Sequence, residues 1–189
     1  MDQHCKLILG SSSPRRKNLL KRWGLDFDLT VPQESHDFSE SDPGAFVAEV
    51  VRSKLASVIP PKDGAVICAD TIVVAQGKVL GKPTDREAAE QMLQVLSGQE
   101  HCVMTAYAIK SSQVWLKTVQ TKVWMHDISA SWIKTYLHHA SYLDKAGGYG
   151  IQEHGGVFVK RIKGSLTNVM GLPMKEVFET LIQAGVVTL

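Results

Sequence analysis

Cysteine is scarce in this sequence of 189 residues, which contains three cysteines far apart in the chain. Cys5, Cys68 and Cys102 form no C-x-x-C pair, and an odd, scattered set does not suggest a disulfide framework. We therefore expect each cysteine to be a small buried side chain rather than a ligand.

Long hydrophobic runs and a large net charge are also missing. The longest apolar run, near Ala65–Ala75, is interrupted by Asp70 and is too short to span a bilayer. The first four residues lack the regions of a signal peptide. The formal net charge of +2 is too small to favour a nucleic-acid or membrane surface. These absences predict a cytoplasmic protein without nucleic-acid or membrane partners, in which any basic site is local.

Several motifs typical of nucleotide-binding sites, phosphatases and metal sites are absent as well. No G-x-x-x-x-G-K-[ST] loop follows the first strand, so the chain is not a P-loop protein. No G-x-G-x-x-G pattern follows a strand. Asp70 is followed by Thr71 and Ile72, so the D-x-D of aspartyl phosphatases is missing. His101, His138 and His139 show no metal-binding spacing such as H-E-x-x-H, so we expect them to be structural or solvated.

The stretch around residues 7–16 is the first that suggests a ligand. A short apolar strand ends at Gly10, and Ser13 and Pro14 suit the start of a helix, with Ser13 as its cap. Arg15 and Arg16 follow in the first turn, where cations oppose the helix dipole. An anion such as a polyphosphate would explain them. The alternative is an ordinary capped surface helix with two solvated arginines.

Alternating strand and helix patterns predict an α/β fold with a mixed sheet, helices on both sides and a division into two lobes with a cleft. Predicted strands cover residues 7–10, 27–31, 65–69, 72–74, 78–80, 103–109, 115–125 and 157–162. Predicted helices cover residues 14–23, 43–55, 84–96, 129–138 and 173–184, the third starting with a Thr84/Glu87 capping box.

Asp70 ends the predicted strand at 65–69, and ligands gather at such strand ends. Its carboxylate would serve as a base or metal ligand, or else bond only to turn N–H groups. Lys54 and Lys82 are either solvated or join the two arginines in binding a polyphosphate. In the glycine-rich segment 144–152, Tyr149 would stack on a nucleotide base, and the Gln152 amide would form hydrogen bonds with the edge of that base. The alternative there is a mobile glycine loop.

Read in order, these motifs resemble the Maf family of nucleoside triphosphate pyrophosphatases over nearly the whole chain, as one domain at 1–189. The motifs are S-x-S-P-R-R at 11–16, A-D-T at 69–71, G-K-P at 81–83, L-S-G at 96–98, D-K-A-G to I-Q at 144–152 and G-L-P at 171–173.

The resemblance implies a mixed twisted sheet flanked by helices, similar to inosine triphosphate pyrophosphatases, with two lobes and a central cleft. It implies hydrolysis of a nucleoside triphosphate to the monophosphate and pyrophosphate, using a divalent cation. Our mechanistic hypothesis is that the cation is Mg²⁺ or Mn²⁺ and that water attacks the α-phosphate. It also suggests a homodimer. A nucleotide-binding regulator of septum formation, with little catalysis, is the alternative that family membership leaves open.

The resemblance also implies roles for residues at matching positions. Asp70 stands at the position of the family's proton acceptor. Arg15, Thr71 and Gln152 match the branch that acts on dTTP and UTP, with CTP and modified pyrimidine nucleotides as further candidates. A sister branch that prefers 7-methyl-GTP has Trp, Gln and Glu there. Lys54 matches a position lining the phosphate site.

Lys82 likewise matches a phosphate-site position, and physical reasoning adds Ser11, Ser13 and Arg16 as phosphate contacts. Asp70 is the expected metal ligand.

The chain departs from the family pattern at several positions. Many members have an acidic pair after the second strand, and in the segment 33–37 Glu34 is the best candidate for a second metal ligand. Glu153 follows Gln152 where glycine is usual, which places an extra carboxylate beside the expected base pocket. Gly10 and Gly148 stand where alanine is frequent.

Overall fold

The computed structural model describes residues 1–33 and 42–189, and it confirms the predicted mixed α/β class. The helices are α1 Pro14–Arg22, α2 Pro43–Ala56, α3 Arg86–Leu96, α4 Ala130–His139, α5 Leu166–Val169 and α6 Met174–Gln183. The strands are β1 Asp2–Gln3, β2 Leu7–Gly10, β3 Asp28–Thr30, β4 Ala65–Ala75, β5 Lys78–Leu80, β6 Glu100–Lys110, β7 Val114–Met125, β8 Val159–Lys163 and β9 Val187–Thr188.

The sheet contains both parallel and antiparallel pairs. Its strands follow the order β3-β2-β4-β6-β7-β8, with β5 beside β4, while β1 and β9 pair separately. Strand β2 runs parallel to both β3 and β4, whereas β4 with β5 and β7 with β8 are antiparallel. Parallel strands joined through helices and antiparallel strands joined by short turns explain this mixture.

The chain forms two compact units. Unit 1 comprises Met1–Asp70, Thr105–Val119 and Gly171–Leu189, and unit 2 comprises Thr71–Met104 and Gln120–Met170. No helix in the described part of the chain is long and apolar enough to cross a membrane.

Unit 1 buries the apolar residues of β2, of the first half of β4 and of the helices packed on them. Leu7, Leu9 and Ile67 are at most 1% exposed. Tyr107 is fully buried, and its hydroxyl donates to the carbonyl of Glu176 in α6 at 2.8 Å. Because a buried hydroxyl needs a partner, this bond fixes where α6 packs.

Unit 2 has its own core, in which α3 packs against α4. Apolar residues from β4, α3, β6, β7 and α4 fill it, among them Val73, Leu93, Leu96, Val103, Val123, Ile133, Tyr136 and Leu137. Gly147 and Gly148 have positive φ angles of 70° and 73°. A Cβ on Gly147 would lie 3.2 Å from Val73 Cγ2, so this position requires glycine for both conformation and space.

The predicted end of the central strand at Asp70 is wrong. Strand β4 continues through Asp70 to Ala75, because the β-branched residues that follow suit a strand and pair with β5. A single charged residue therefore interrupts the apolar pattern without ending the strand.

The predicted capping box at Thr84 and Glu87 is also wrong. Asp85 is the N-cap of α3, and its carboxylate accepts from the Ala88 N–H at 2.8 Å. That bond, with one from the Thr84 hydroxyl, lowers the pKa of Asp85. Aspartate at this position satisfies the free N–H groups of the first turn as well as threonine would.

Gly10 faces Cys68 on the neighbouring strand, which explains why alanine does not stand there. A Cβ on Gly10 would lie 2.5 Å from Cys68 Sγ and 3.3 Å from Val58 Cγ2. We expect Gly10→Ala to lower the free energy of unfolding by roughly 1–3 kcal/mol, as overpacked cores do. Denaturant unfolding measures this change.

The matched variant is Cys68→Ala, which removes the sulfur atom that the new methyl group would meet. The double variant should lose less stability than the sum of the two single variants, because neighbouring sites couple. Additive losses would contradict the assigned contact.

Candidate active site

The loop between β2 and α1 is organised around the hydroxyl of Ser11. Ser11 Oγ accepts from the Ser13 backbone N–H at 3.2 Å and from Arg16 Nη1 at 3.2 Å. A hydroxyl that accepts two hydrogen bonds has its own hydrogen left to donate. Ser13 occupies the N-cap position of α1, but the prediction that its side chain caps the helix is wrong.

Arg16 is buried, so the interpretation of two solvated arginines does not hold for it. It is 8% exposed, and its Nε donates to the carbonyl oxygen of Gly171 at 2.8 Å. This bond and the one to Ser11 fix a guanidinium group at the start of α1. Arg15, the second residue of the helix, is partly buried.

Lys54 and Asp70 form a short ion pair in unit 1. Lys54 lies on the buried side of α2, and its Nζ is 2.6 Å from Asp70 Oδ1. The side chains are 4% and 18% exposed, so the lysine is enclosed while the carboxylate keeps some contact with solvent. The alternative of a solvated Lys54 is therefore wrong. A charge-assisted bond of this length holds the carboxylate in place.

Cys68 shows that positive charge gathers in this part of unit 1. Burial raises the pKa of its thiol to about 11, while the charges of Lys54 and Arg16 act in the opposite direction. Both cations therefore lie close enough to act on the same buried atom. The thiol stays protonated near neutral pH and is not a nucleophile, as expected for a small buried cysteine.

The other predicted residues, Thr71, Lys82 and Gln152, belong to unit 2. Thr71 directly follows Asp70 in β4, and it is partly buried. Lys82 is exposed. The Gly147 N–H donates to the carbonyl of Gly81 at 3.0 Å, so the segment with Lys82 is joined to the glycine-rich segment.

Gln152 is exposed and contacts its neighbour in sequence. Its Nε2 donates to Glu153 Oε1 at 3.3 Å. The other oxygen of Glu153 lies 3.2 Å from Nζ of Lys145, which also donates to Asp144 Oδ1 at 2.8 Å. The extra carboxylate at position 153 is thus compensated by a buried lysine.

Tyr149 does not stack on the surface of the glycine-rich segment. It is 6% exposed, and its hydroxyl lies 2.7 Å from His101 Nε2. Burial lowers the pKa of His101 to about 4 and raises that of Tyr149. The pair is part of the core of unit 2, in agreement with a structural role for His101.

No group of three or more His, Cys, Asp or Glu side chains that would hold a metal ion occurs within residues 1–33 and 42–189. Glu34, the predicted second metal ligand, lies outside the described residues. Asp70 is a hard oxygen ligand of the type that Mg²⁺ and Mn²⁺ prefer, and Mg²⁺ commonly uses one or two carboxylates together with substrate phosphates.

Sequence reasoning did not find several of these contacts. The carbonyl of Gly171 as the partner of Arg16 left no sequence signal, because any residue carries a carbonyl. The burial of Lys145 does have a signal in the sequence. The glycines near it carry no side chain, so they leave space for the lysine side chain, as Gly150 does. The His101–Tyr149 pair had no signal in spacing.

A mixed α/β fold with a buried lysine on a partly exposed carboxylate, and with Arg16 close enough to act on the same buried thiol as that lysine, belongs to a class suited to bind a phosphorylated ligand. A family model described as "Maf-like protein" matches residues 6–184. The chain belongs to the Maf-like protein family.

Relatives match over nearly their whole length. A dTTP/UTP pyrophosphatase of Thermosipho africanus is 39% identical over 183 residues, covering 96% of this chain and 95% of the relative. The dTTP/UTP pyrophosphatase of Salmonella typhimurium is 43% identical over 179 residues, covering 93% and 91%. Among solved structures, a nucleoside-triphosphatase described as a dITP/XTP pyrophosphatase, from Mycobacterium abscessus, aligns with a TM-score of 0.42 at 15% identity, covering 95% of this chain and 93% of that one.

Proposed function

We propose that this protein hydrolyses nucleoside triphosphates to the monophosphate and pyrophosphate, with dTTP and UTP as preferred substrates. The observation that carries the proposal is the Lys54–Asp70 pair, a partly exposed carboxylate held at 2.6 Å by a buried ammonium group. Relatives that are 39% and 43% identical to this chain are named dTTP/UTP pyrophosphatases, which supports the same substrates.

Asp70 accepts a proton from the attacking water in this mechanism. The water oxygen bonds to the α-phosphorus, the bond from that phosphorus to the bridging oxygen breaks, and pyrophosphate leaves with the bonding electrons. Lys54 positions the carboxylate, because its ammonium fixes one of the two oxygens. Positioning and charge neutralisation dominate catalysis in such reactions.

The phosphate groups are bound by fixed donors. The hydroxyl of Ser11 has its hydrogen left to donate to a phosphate oxygen, because its oxygen accepts from Ser13 and Arg16. Arg16 supplies a fixed positive charge beside it, and the exposed Lys82 is proposed as a further phosphate contact. Preorganised donors of this kind lose little free energy to reorganisation when charge develops.

A divalent cation, Mg²⁺ or Mn²⁺, completes the proposal, with Asp70 as one ligand and Glu34 as the second candidate. When bound it would neutralise phosphate charge. Chelation with EDTA should abolish pyrophosphate release, and added Mg²⁺ should restore it. Full activity in excess EDTA would contradict the metal requirement.

Substrate choice is assigned to Arg15, Thr71 and Gln152. CTP and modified pyrimidine nucleotides remain further candidates, and 7-methyl-GTP is the substrate that these three residues disfavour. Cytoplasmic localisation, a homodimer and the absence of a nucleic-acid partner stay predictions. Sedimentation of the pure protein measures the oligomeric state.

The test is incubation of pure protein and Mg²⁺ with a panel of dTTP, UTP, CTP and 7-methyl-GTP. Release of pyrophosphate and monophosphate, fastest from dTTP and UTP, is the expected result. Release of orthophosphate and a diphosphate would contradict the proposed reaction. Binding without products would favour the regulator of septum formation, which the pyrophosphatase relatives do not favour.

A further inference from the structure

Lys145, Glu153 and Gln152 form a chain of contacts from a buried ammonium group to an exposed amide. Lys145 is 3% exposed, and its Nζ reaches one oxygen of Glu153 at 3.2 Å. The other oxygen of Glu153 accepts from Nε2 of Gln152 at 3.3 Å. Both oxygens of the carboxylate are therefore engaged, each by a different donor.

The buried end of this chain is fixed by the backbone. A Cβ on Gly150 would lie 2.6 Å from Lys145 Cε, so the lysine stem lies directly on the glycine. Asp144 accepts a second bond from the same ammonium group at 2.8 Å. A lysine with its stem enclosed and two carboxylates on its ammonium keeps one rotamer, and it holds Glu153 accordingly.

The held carboxylate determines which way the Gln152 amide faces. An ionised carboxylate only accepts hydrogen bonds, whereas a carboxamide has one donor end and one acceptor end. The NH₂ group must therefore face Glu153, because the reversed amide would bring two acceptor oxygens together. The same contact therefore sets the direction in which Oε1 of Gln152 faces.

Amide orientation matters for pyrimidine recognition. Uracil and thymine present a donor at N3 and an acceptor at O4, while cytosine presents an acceptor at N3 and a donor at N4. A carboxamide pairs with either edge, but it must turn over by half a rotation between them. A glutamine whose amide turns freely pairs with both types of base. A glutamine whose amide is fixed makes both hydrogen bonds with only one of the two types.

We propose that Glu153 is a positioning residue that fixes the Gln152 amide, so that the protein distinguishes the two pyrimidine edges and selects uracil and thymine nucleotides over cytosine nucleotides. The inference rests on the proposed function in two respects, that Gln152 contacts the base and that dTTP and UTP are the preferred substrates. It gives the carboxylate at position 153 a role in selectivity, acting through Gln152.

The test compares kcat/KM for UTP and CTP, which share ribose and triphosphate and differ only at the base edge. Glu153→Gly should lower the UTP-to-CTP ratio about tenfold, mainly through faster turnover of CTP, since a lost directional contact relaxes selection. Its kcat for UTP should stay within about twofold, because no group that touches the reacting atoms has changed.

Glu153→Gln is the conservative variant, because its side chain keeps an acceptor oxygen but is itself able to turn over. Its ratio should lie between those of the wild type and Glu153→Gly. Glu179→Gln is the matched control, since Glu179 is an exposed carboxylate that pairs with Lys175 on α6. That variant should keep the wild-type ratio.

An unchanged ratio in Glu153→Gly overturns the proposal, and so does an equal loss of activity on UTP and CTP, which would indicate a structural role only. If the wild type hydrolyses neither nucleotide, the proposed function fails. The inference is then decided by the dissociation constants of UTP and CTP, whose ratio should change in the same way. Absence of binding to either nucleotide overturns both.

Discussion

Asp70→Asn should lower kcat for dTTP by roughly 10²–10⁴-fold, the usual contribution of a general base. The amide cannot accept the proton that the attacking water must lose. Its oxygen still accepts a hydrogen bond from Lys54, so the dissociation constant for dTTP should change little. Pyrophosphate release at saturating dTTP and Mg²⁺ measures the loss, and equilibrium binding measures the affinity.

A loss of activity through unfolding has to be distinguished from a loss of catalysis in this variant. The ammonium group of Lys54 is buried, and in the variant it would face a neutral amide instead of a carboxylate. Thermal unfolding by circular dichroism shows the range in which the variant is folded, and activity is compared there. Asp85→Asn is the matched control, since asparagine caps a helix as well as aspartate and lies outside the proposed machinery. A kcat near that of the wild type in Asp70→Asn would contradict the role of Asp70.

Acid should destabilise the protein through His101. Its pKa in the folded protein is about 4, compared with an ordinary value of 6.5, because burial disfavours the charged ring, and the charge of Glu100 acts in the opposite direction. Below pH 6.5 the unfolded chain binds a proton that the folded chain does not. Stability therefore falls as the pH drops from 6.5 towards 4, by about 3 kcal/mol for this group.

Denaturant unfolding at several pH values measures this dependence, and His101→Gln removes it. Glutamine keeps a polar contact with the Tyr149 hydroxyl but does not titrate in this range. The difference between the two curves isolates His101 from the carboxylates, which titrate in both proteins. Parallel curves between pH 6.5 and 4 would mean that the folded protein accommodates a charged His101.

Local signals in the sequence predicted much of the fold. The pair Asp42-Pro43 predicted the start of α2, and Asp42 does cap it, accepting from the Ala45 N–H at 2.7 Å. The turn at Gln76 and Gly77 predicted the hairpin of β4 and β5. Such elements were predictable because cap and turn residues act on a backbone only a few positions away.

Partners distant in sequence were not predictable in the same way. Lys54 looked like a surface lysine, since its burial depends on Asp70, which lies 16 positions later on a strand. Asp70 itself looked like a strand end, because pattern alone does not distinguish a charged residue with a buried partner from one in a turn. Glu153 was recognised as unusual, but its contact with Lys145 required the positions of both backbones.

The bond from Arg16 to the carbonyl of Gly171 spans 155 positions, and this separation has a consequence for synthesis. The N-terminal segment with Ser11 leaves the ribosome early, but its arginine has no Gly171 carbonyl until the later segment emerges. Domains fold as their parts become available during translation. The segment that carries Arg16 is therefore among the first parts of the molecule made and among the last completed, so an incomplete nascent chain lacks the bond that holds this guanidinium group.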